Sequence, residues 1–450
     1  MAEIDRIVKA TILLRTAPVA ERGFSDMLVL ATHNFSAMRV SSVNSPSELL
    51  EAGVSANDPL YAAIRDAFSQ TPGVSTVYIG RRTPGGASIT VGAPSGDAGQ
   101  LYSVTLQFYN NGIIEEQTYS YVTVGDTTDD DATKVAALLT AQIDANANIT
   151  ASASTDTITL AASSGIPAVT DTSDLVTATF TASTESVADA LSAARQENDI
   201  FYGVGMTSRD LEEQLEAAAW VEANEKMGAF GDGDVLNRPL AQALRDRNYF
   251  RSFAMVSAGA SVANGEYPEL AWMSRKFREQ PGGQTWANAT LGGISHDNLP
   301  PSVAIAIHNI NGNTFEPFRN VSITQNGKVG GGEWIDIIRF RDWLLEQIRV
   351  NVFQAFINNH IPYTDPGIAV IHARLLQSLM RGRDVGGIAP EEVDPLTDRL
   401  VPSFTTTIPS SQTVSINDKA NRVLKGLKFT ARLAGAIHAV EIDGTLAYEL

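Results

Sequence analysis

The sequence predicts an α/β core split by an inserted small β-sandwich-like domain, followed by an α+β C-terminal part, with extended arms at both ends. Three observations predict it. The window from Ala87 to Thr184 is acidic and Thr-rich: Asp97, Glu115, Glu116, Asp126, Asp129, Asp130, Asp131, Asp144, Asp156, Asp171 and Asp174 face a single base, Lys134. That window contains no Arg, His or Trp, whereas the flanks hold all five Trp and all six His. Either side of it, short apolar runs alternate with helical periodicity, the pattern of an α/β sheet.

The expected elements follow in chain order. Ile7 to Leu14 is strand-like and precedes Pro18. Met27-Leu-Val-Leu30 reads as a buried strand, Pro46 to Gly53 and Asp58 to Gln70 as helices, and Val74 to Ile79 as a second strand. Inside the window, Leu101 to Phe108 alternates, Asn111-Gly112 supplies the φ > 0 residues of a hairpin turn, and Gln117 to Val124 alternates again. Asp156 to Leu160 and Leu175 to Phe180 are further strands. One helix follows Asp129 to Asp131, with Val135, Leu138, Leu139 and Ile143 as its apolar stripe.

After the window, Glu185 to Asn198 and Arg209 to Met227 read as helices, as does a segment from Pro239. Ile200 to Val204, Ala229-Phe230 and Phe253 to Val256 read as strands; whether their sheet is parallel or mixed is left open. Phe315 to Thr324 has hairpin character. Trp334 to Asn358 is the strongest helix, with Ile337, Leu344, Leu345, Ile348, Val352 and Phe356 on one face, and Ile368 to Met380 is another. Lys419, Arg422, Lys425, Lys428 and Arg432 form a basic run at three- and four-residue steps, expected on neighbouring helix faces. Ile437 to Ile442 and Leu446 to Leu450 are strand-like. The resulting divisions are 1–23 (N-terminal arm), 24–86 and 185–310 (α/β core), 87–184 (insert), 311–436 (α+β part) and 437–450 (C-terminal arm).

Composition narrows the function. The chain has 450 residues, enough for two or three compact units, and 44% hydrophobic residues to fill their cores. It has no cysteine, which excludes disulfides, thiolate metal sites and a Cys nucleophile. A net charge of −18 disfavours general nucleic-acid binding. The opening residues MAEIDRIVKA lack an apolar core, so no signal peptide is expected, and no apolar run suits a membrane helix.

Candidate chemistry is sparse. Ser295-His296-Asp297 are adjacent, whereas the partners of a triad converge from separated segments. Gly330 to Gly332 lack a following Lys-Ser/Thr and precede Glu333, so a turn is expected there and no phosphate cradle. Asp126, Asp129, Asp130 and Asp131, and likewise Asp232-Gly-Asp234, are incomplete calcium motifs. No catalytic, cofactor or metal residue is assigned. The ends carry more information: Ile12 and Leu14 near the start, and Leu446, Tyr448 and Leu450 at the end, would expose apolar strand faces unless a neighbouring chain's sheet covers them.

The sequence resembles the contractile-tail sheath proteins of bacteriophages. The resemblance rests on Asn311-Gly-Asn313 and the hairpin after it, Trp334-Ile-Asp336 leading to Trp343-Leu-Leu345, Ile361-Pro-Tyr-Thr-Asp-Pro-Gly367, Ala420-Asn-Arg422, and Leu433-Ala-Gly-Ala-Ile-His438. It implies a non-enzymatic structural subunit of the virion tail, assembled in the host cytoplasm. Such a subunit would polymerise with itself in hexameric rings or helical stacks linked by terminal arms, around a tail tube and between baseplate and tail terminator proteins. Contraction would drive the tube through the host envelope. The basic run would face the tube, and the insert would project outward. The alternatives left open by the residues are an α/β hydrolase-like enzyme and a surface adhesin or layer protein.

Overall fold

The inner strands of the largest sheet come from segments buried on both faces. In the computed structural model, which describes residues 23–125, 131–162, 165–357, 359–442 and 444, β1 (Met27–Thr32) is followed by β2 (Val40–Val43), α1 (Ser47–Glu51), α2 (Pro59–Phe68) and β3 (Val77–Arg82). The chain then builds β4 (Ala87–Val91), β5 (Ala98–Asn110), β6 (Ile113–Val124), α3 (Ala132–Asp144), β7 (Ile149–Ser154), β8 (Thr157–Ala162), β9 (Ala168–Thr172) and β10 (Val176–Phe180). It continues with α4 (Val187–Glu197), β11 (Gly203–Met206), α5 (Leu211–Ala223), β12 (Met227–Asp232), α6 (Pro239–Asp246), β13 (Ser252–Val256), α7 (Pro268–Phe277), α8 (Pro301–His308), β14 (Thr314–Phe318) and β15 (Val321–Gln325). The last elements are α9 (Ile335–Phe356), α10 (Asp365–Asp384), β16 (Glu392–Val393), β17 (Leu400–Val401), β18 (Phe404–Thr407), α11 (Ile416–Ala420) and β19 (Lys428–Ala431). Among the described residues no helix is long and apolar enough to cross a membrane.

Two compact units result. One holds residues 23–340 with the described residues from 435 onward; the other holds 341–434, and α9 carries the chain from the first into the second. Within the first, Asn313 ties the β14–β15 hairpin to the edge of the α/β sheet: its N–H donates to the Ala254 carbonyl (3.1 Å) and its carbonyl accepts from the Val256 N–H (2.8 Å).

That sheet has the order β13-β12-β11-β1-β3-β2. Neighbours are parallel except β2, which runs antiparallel to β3 on the edge, so the sheet is mixed. Burial on both faces explains the unbroken apolar run of β1, where Met27, Leu28 and Val29 are inaccessible. On one face Leu28, Leu30, Val204 and Met206 pack with α4, α5 and α6. On the other, α7 lies close against β11: a Cβ on Gly203 would fall 2.5 Å from the Met273 sulfur, so glycine sets the distance of approach. Phe253, Trp272 and Trp286 meet edge to face at 5.2–5.3 Å beside it.

Residues 87–180 form two further sheets, β10-β4-β8-β7 and β6-β5-β9. Their alternating residues Ile89, Val91, Tyr102, Val104, Leu106, Ile158 and Leu160 close with α3 around a separate core. The hairpin turn falls at Asn111 (φ 51°) and Gly112 (φ 82°), where the sequence places it. Asp131 caps α3, accepting from the Lys134 N–H at 2.7 Å. The buried stripe of α3 is Val135, Ala136, Leu139 and Ile143; Leu138, expected on it, is 43% exposed. Asp126, Asp129 and Asp130 lie outside the described residues.

The two connections to this region run side by side: the Gly85 N–H donates to the Ala182 carbonyl (3.1 Å) and the Arg82 Nε to the Glu185 carbonyl (2.7 Å). Non-covalent ties reinforce them. The loop after β1 gives the Asn34 carbonyl to the Val169 N–H (3.0 Å) and the Ala37 N–H to Gln107 Oε1 (2.8 Å). Beneath that loop the buried Arg81 guanidinium donates to the carbonyls of His33, Ala37 and Ile166 and to Asn34 Oδ1, at 3.0–3.4 Å. Burial pushes Arg81 down to about 10, which leaves it cationic at neutral pH. His33 is buried, stacked on Phe35 at 4.1 Å, and neither ring nitrogen has a hydrogen-bond partner. Burial, with Arg81 adding to it, holds His33 well below the ordinary histidine range.

In the 341–434 unit, Trp343, Leu344, Val350, Ile368, Leu375 and Leu379 are buried, and Asn351 donates to Ser378 Oγ at 2.9 Å between α9 and α10. Leu345 and Phe356, expected on the apolar face of α9, are 38% and 50% exposed.

Two outcomes test the junction. Arg81→Met removes the guanidinium donors from four acceptors, three of them buried, and is expected to cost about 3–5 kcal/mol in urea unfolding; a cost below about 1 kcal/mol would show the junction does not depend on it. His33 resists protonation in the native state, so the unfolded chain binds the proton first and stability falls as pH drops below its ordinary pKa of 6.5. His33→Phe should keep the stack on Phe35 and flatten that part of the stability–pH curve; an unchanged slope would contradict the assignment.

Candidate interaction surfaces

An open parallel sheet offers a ligand crevice where strand order reverses, at the carboxyl ends of the strands. Here the reversal lies between β1 and β11, and a cavity of about 300 Å³ occurs there, lined by Thr32, Arg82, Ser208 and Glu213. The connection from β10 crosses it with Phe180 to Ser183. Arg82 is paired with Glu213 at 2.5 Å, and Ser208 donates to the same carboxylate at 2.5 Å. The N-terminus of α5 is capped by Asp210, which accepts from the Glu213 N–H at 3.0 Å. The charged groups of the crevice are thus engaged with each other.

The other chemical candidates are likewise absorbed. Ser295 binds Glu266 (2.7 Å), His296 faces Ser322 (3.0 Å) and Asp297 accepts from the Ala258 N–H (3.1 Å), so the three diverge. Asp232 accepts from the N–H groups of Leu240 (3.0 Å) and Ala241 (3.1 Å) at the start of α6. Burial raises its pKa, and those N–H donors work in the opposite direction. Asn313 of the Asn311-Gly-Asn313 motif is inaccessible and fully bonded. Its Oδ1 accepts from the N–H groups of Gly327 and Lys328 (both 2.8 Å), and its Nδ2 donates to the carbonyls of Ala254 and Lys328 (both 2.9 Å). Among the described residues no group of three or more His, Asp or Glu side chains is placed to hold a metal ion.

The basic run is exposed at Arg422, Lys425 and Lys428, half-buried at Lys419 and Arg432, and not helical as a whole. Lys419 lies in α11, Arg422 in a left-handed turn (φ 56°), Lys425 in irregular chain, Lys428 at the start of β19 and Arg432 just beyond it. Helix α11 already ends at Ala420, with Asn421 as its cap and Arg422 in the left-handed region, so the three- and four-residue steps do not share a helix face. Lys425 pairs with Asp418 at 2.6 Å and Arg432 with Glu392 at 2.7 Å. The bond from Lys425 holds the Asp418 carboxyl below its usual range, and the reciprocal bond raises Lys425. Beside Lys419 and Arg422 opens a groove of about 690 Å³ with Phe356, Ile361, Ile368 and Leu424 in its walls. Sequence spacing found the charges and missed the groove, whose walls come from three segments.

Strands β18 and β19 make a two-stranded antiparallel ladder with which, among the described residues, no third strand pairs. Its backbone edges are open along the ladder itself, although just beyond β19 the Arg432 carbonyl accepts from the Ala389 N–H (2.7 Å); Phe429 and Ile408 are 42% and 47% exposed. The run Ile437 to Ile442 is not a strand: it is irregular, with Ile437, Val440 and Ile442 exposed at 90%, 74% and 83%. Without a neighbouring strand its backbone has no ladder to join. Ile12, Leu14, Leu446, Tyr448 and Leu450 lie outside the described residues.

Comparisons with known proteins bear on these surfaces. Residues 335–446 match the family model described as E217 tail sheath protein gp31-like, C-terminal domain. A chain in the anti-feeding prophage baseplate structure is similar at 10% identity over 98% of this chain and 99% of that one, with a TM-score of 0.50. The anti-feeding prophage helical sheath in its contracted state is similar at 9% identity over 98% and 99%, with a TM-score of 0.49. The sheath tail protein of Desulfitobacterium hafniense is similar at 12% identity over 88% and 93%, with a TM-score of 0.46. No curated protein matches the sequence. The match over 335–446 bears out the resemblance to tail sheath proteins read from the sequence, and at such identities the structural likeness speaks for the mixed α/β fold.

Proposed function

We infer that this chain is a structural subunit of a contractile tail sheath, polymerising around a tail tube and contracting to drive the tube through an envelope. The observation that carries the inference is the match of residues 335–446 to a tail-sheath C-terminal domain. A structural role agrees with it, because the charged groups of the sheet crevice and of the Ser295-His296-Asp297 run are held by other parts of the same chain. Contraction then requires no catalysis: it is a shift between two packings of the same subunits, the second lower in free energy.

Finer assignments belong to this proposal. The terminal arms, residues 1–23 and 437–450, link subunits into hexameric rings or helical stacks. The open β18–β19 edges and the exposed Ile437, Val440 and Ile442 support strand exchange through backbone hydrogen bonds. Residues 87–184 form the outward domain, supported by their separate core. The basic run faces an acidic tube, with Arg422 and Lys428 as its exposed centre. Baseplate and terminator proteins bound the polymer in the virion tail, after assembly in the host cytoplasm.

Negative-stain microscopy of the purified chain tests the reading, which expects rings or tubes; monomers at every concentration and ionic strength would overturn it. Deleting Thr445 to Leu450 is expected to leave the Tm of the subunit unchanged and to abolish polymers, because only a neighbour's sheet loses a member. A large fall in Tm, or normal polymers, would contradict strand exchange. Arg422→Glu with Lys428→Glu is expected to weaken decoration of tubes most at low salt, where charges are least screened, while sheath-only polymers persist. Equal decoration at low salt would remove the tube-facing assignment.

A further inference from the structure

Arg339 is the most completely buried guanidinium of the 23–340 unit, with no accessible side-chain surface. Its hydrogen-bond acceptors are backbone carbonyls: Lys276, Phe277 and Glu279 at 2.9 Å each, and Phe24 at 2.8 Å. The first three belong to the C-terminal end of α7 and the turn beyond it, where helix carbonyls lack intrahelical partners and the dipole favours a cation. The fourth belongs to the stretch that leads into β1, two residues after residue 22. The guanidinium also lies 4.9 Å from the centre of the Phe277 ring. Burial brings Arg339 down to about 10, so it stays charged at neutral pH and its fork keeps its geometry.

The other end of the chain returns to the same helix head. His438 meets the Trp334 ring edge-on at 4.7 Å, and its Nε2 lies 2.7 Å from Thr285 Oγ1. Lys328 sits over the Trp334 ring at 5.0 Å. Beyond His438, Val440 and Ile442 are exposed, so His438 is the last anchored aromatic of the described chain. Trp334 and Arg339 flank the first turn of α9, the helix that leads into the 341–434 unit.

We propose that the head of α9, from Trp334 to Arg339, is a common anchor for the roots of both terminal segments. Load applied to either end of the chain then converges on one helix turn instead of being spread over the sheet. The inference rests on the reading that both ends link neighbouring subunits, and it adds where on the subunit their tension is received. Directed bonds suit that task, because a forked guanidinium engaging four carbonyls resists displacement in several directions at once.

Pulling single molecules tests it. The chain has no cysteine, so Asn57→Cys in an exposed loop gives a unique fixed handle, with the second handle at the N- or C-terminus. Arg339→Lys, which keeps the charge but loses the fork, is expected to shorten the lifetime of the N-terminal root under constant load by about tenfold or more. The force that unfolds the sheet should stay the same. His438→Ala should do the same for the C-terminal root and leave the N-terminal one unchanged. Root lifetimes equal to those of the unsubstituted protein, or lowered only together with sheet unfolding, would overturn the anchor. Failure of the premise looks different: chains truncated at either end would still polymerise, whatever their root lifetimes.

Discussion

The parallel sheet of the 23–340 unit imposes the constraint on which the rest depends. Parallel neighbours need crossovers and cover on both faces, and β1, the central strand, draws its partners from β3 on one side and β11 on the other. Those partners are separated by the whole of residues 87–180. The excursion can exist only if it leaves and returns at one place, and the pairing of Gly85 with Ala182 and of Arg82 with Glu185 holds it there. Crossing back, the chain forms one wall of the crevice where an enzyme of this architecture would hold a ligand.

Much of this was legible because strong periodicity survives any context. The apolar run of β1, the helical stripes that became α4, α5 and α9, and the Asn111-Gly112 turn were read directly. What escaped was structure whose stability is tertiary. Helix α7 carries Glu269, Ser274 and Lys276 among its buried residues, so its pattern does not alternate between an apolar and a polar face. Glu269 is tolerated because Arg209 meets it at 2.8 Å. The edge strand β2 is four residues long and polar at its centre. The steps of the basic run suggest a helix that in fact ends at Ala420, where Asn421 caps it and Arg422 turns left-handed. Ile437 to Ile442 alternates like a strand but has no partner within the described chain, and a ladder needs two members.

Two buried guanidiniums at junctions are satisfied in the same way. Arg81 and Arg339 are each satisfied mainly by backbone carbonyls at points where separate segments meet. A guanidinium used so fixes geometry through several directed bonds that are lost together when it is removed. Such junctions make a body whose parts keep their arrangement under load. That is what a sheath subunit needs, because a change of lattice does mechanical work only if the subunits themselves do not yield.

Rigidity of the 23–340 unit during contraction is therefore the central claim. Cryo-electron microscopy of the assembled polymer before and after contraction measures it directly. The account predicts that β1, β3, β11, β12 and β13, with α7 and the head of α9, superpose within coordinate error in the two states, while the positions of neighbouring subunits change. A rearranged strand order, loss of the Arg339 contacts in either state, or separation of residues 87–180 from the loop after β1 would contradict it.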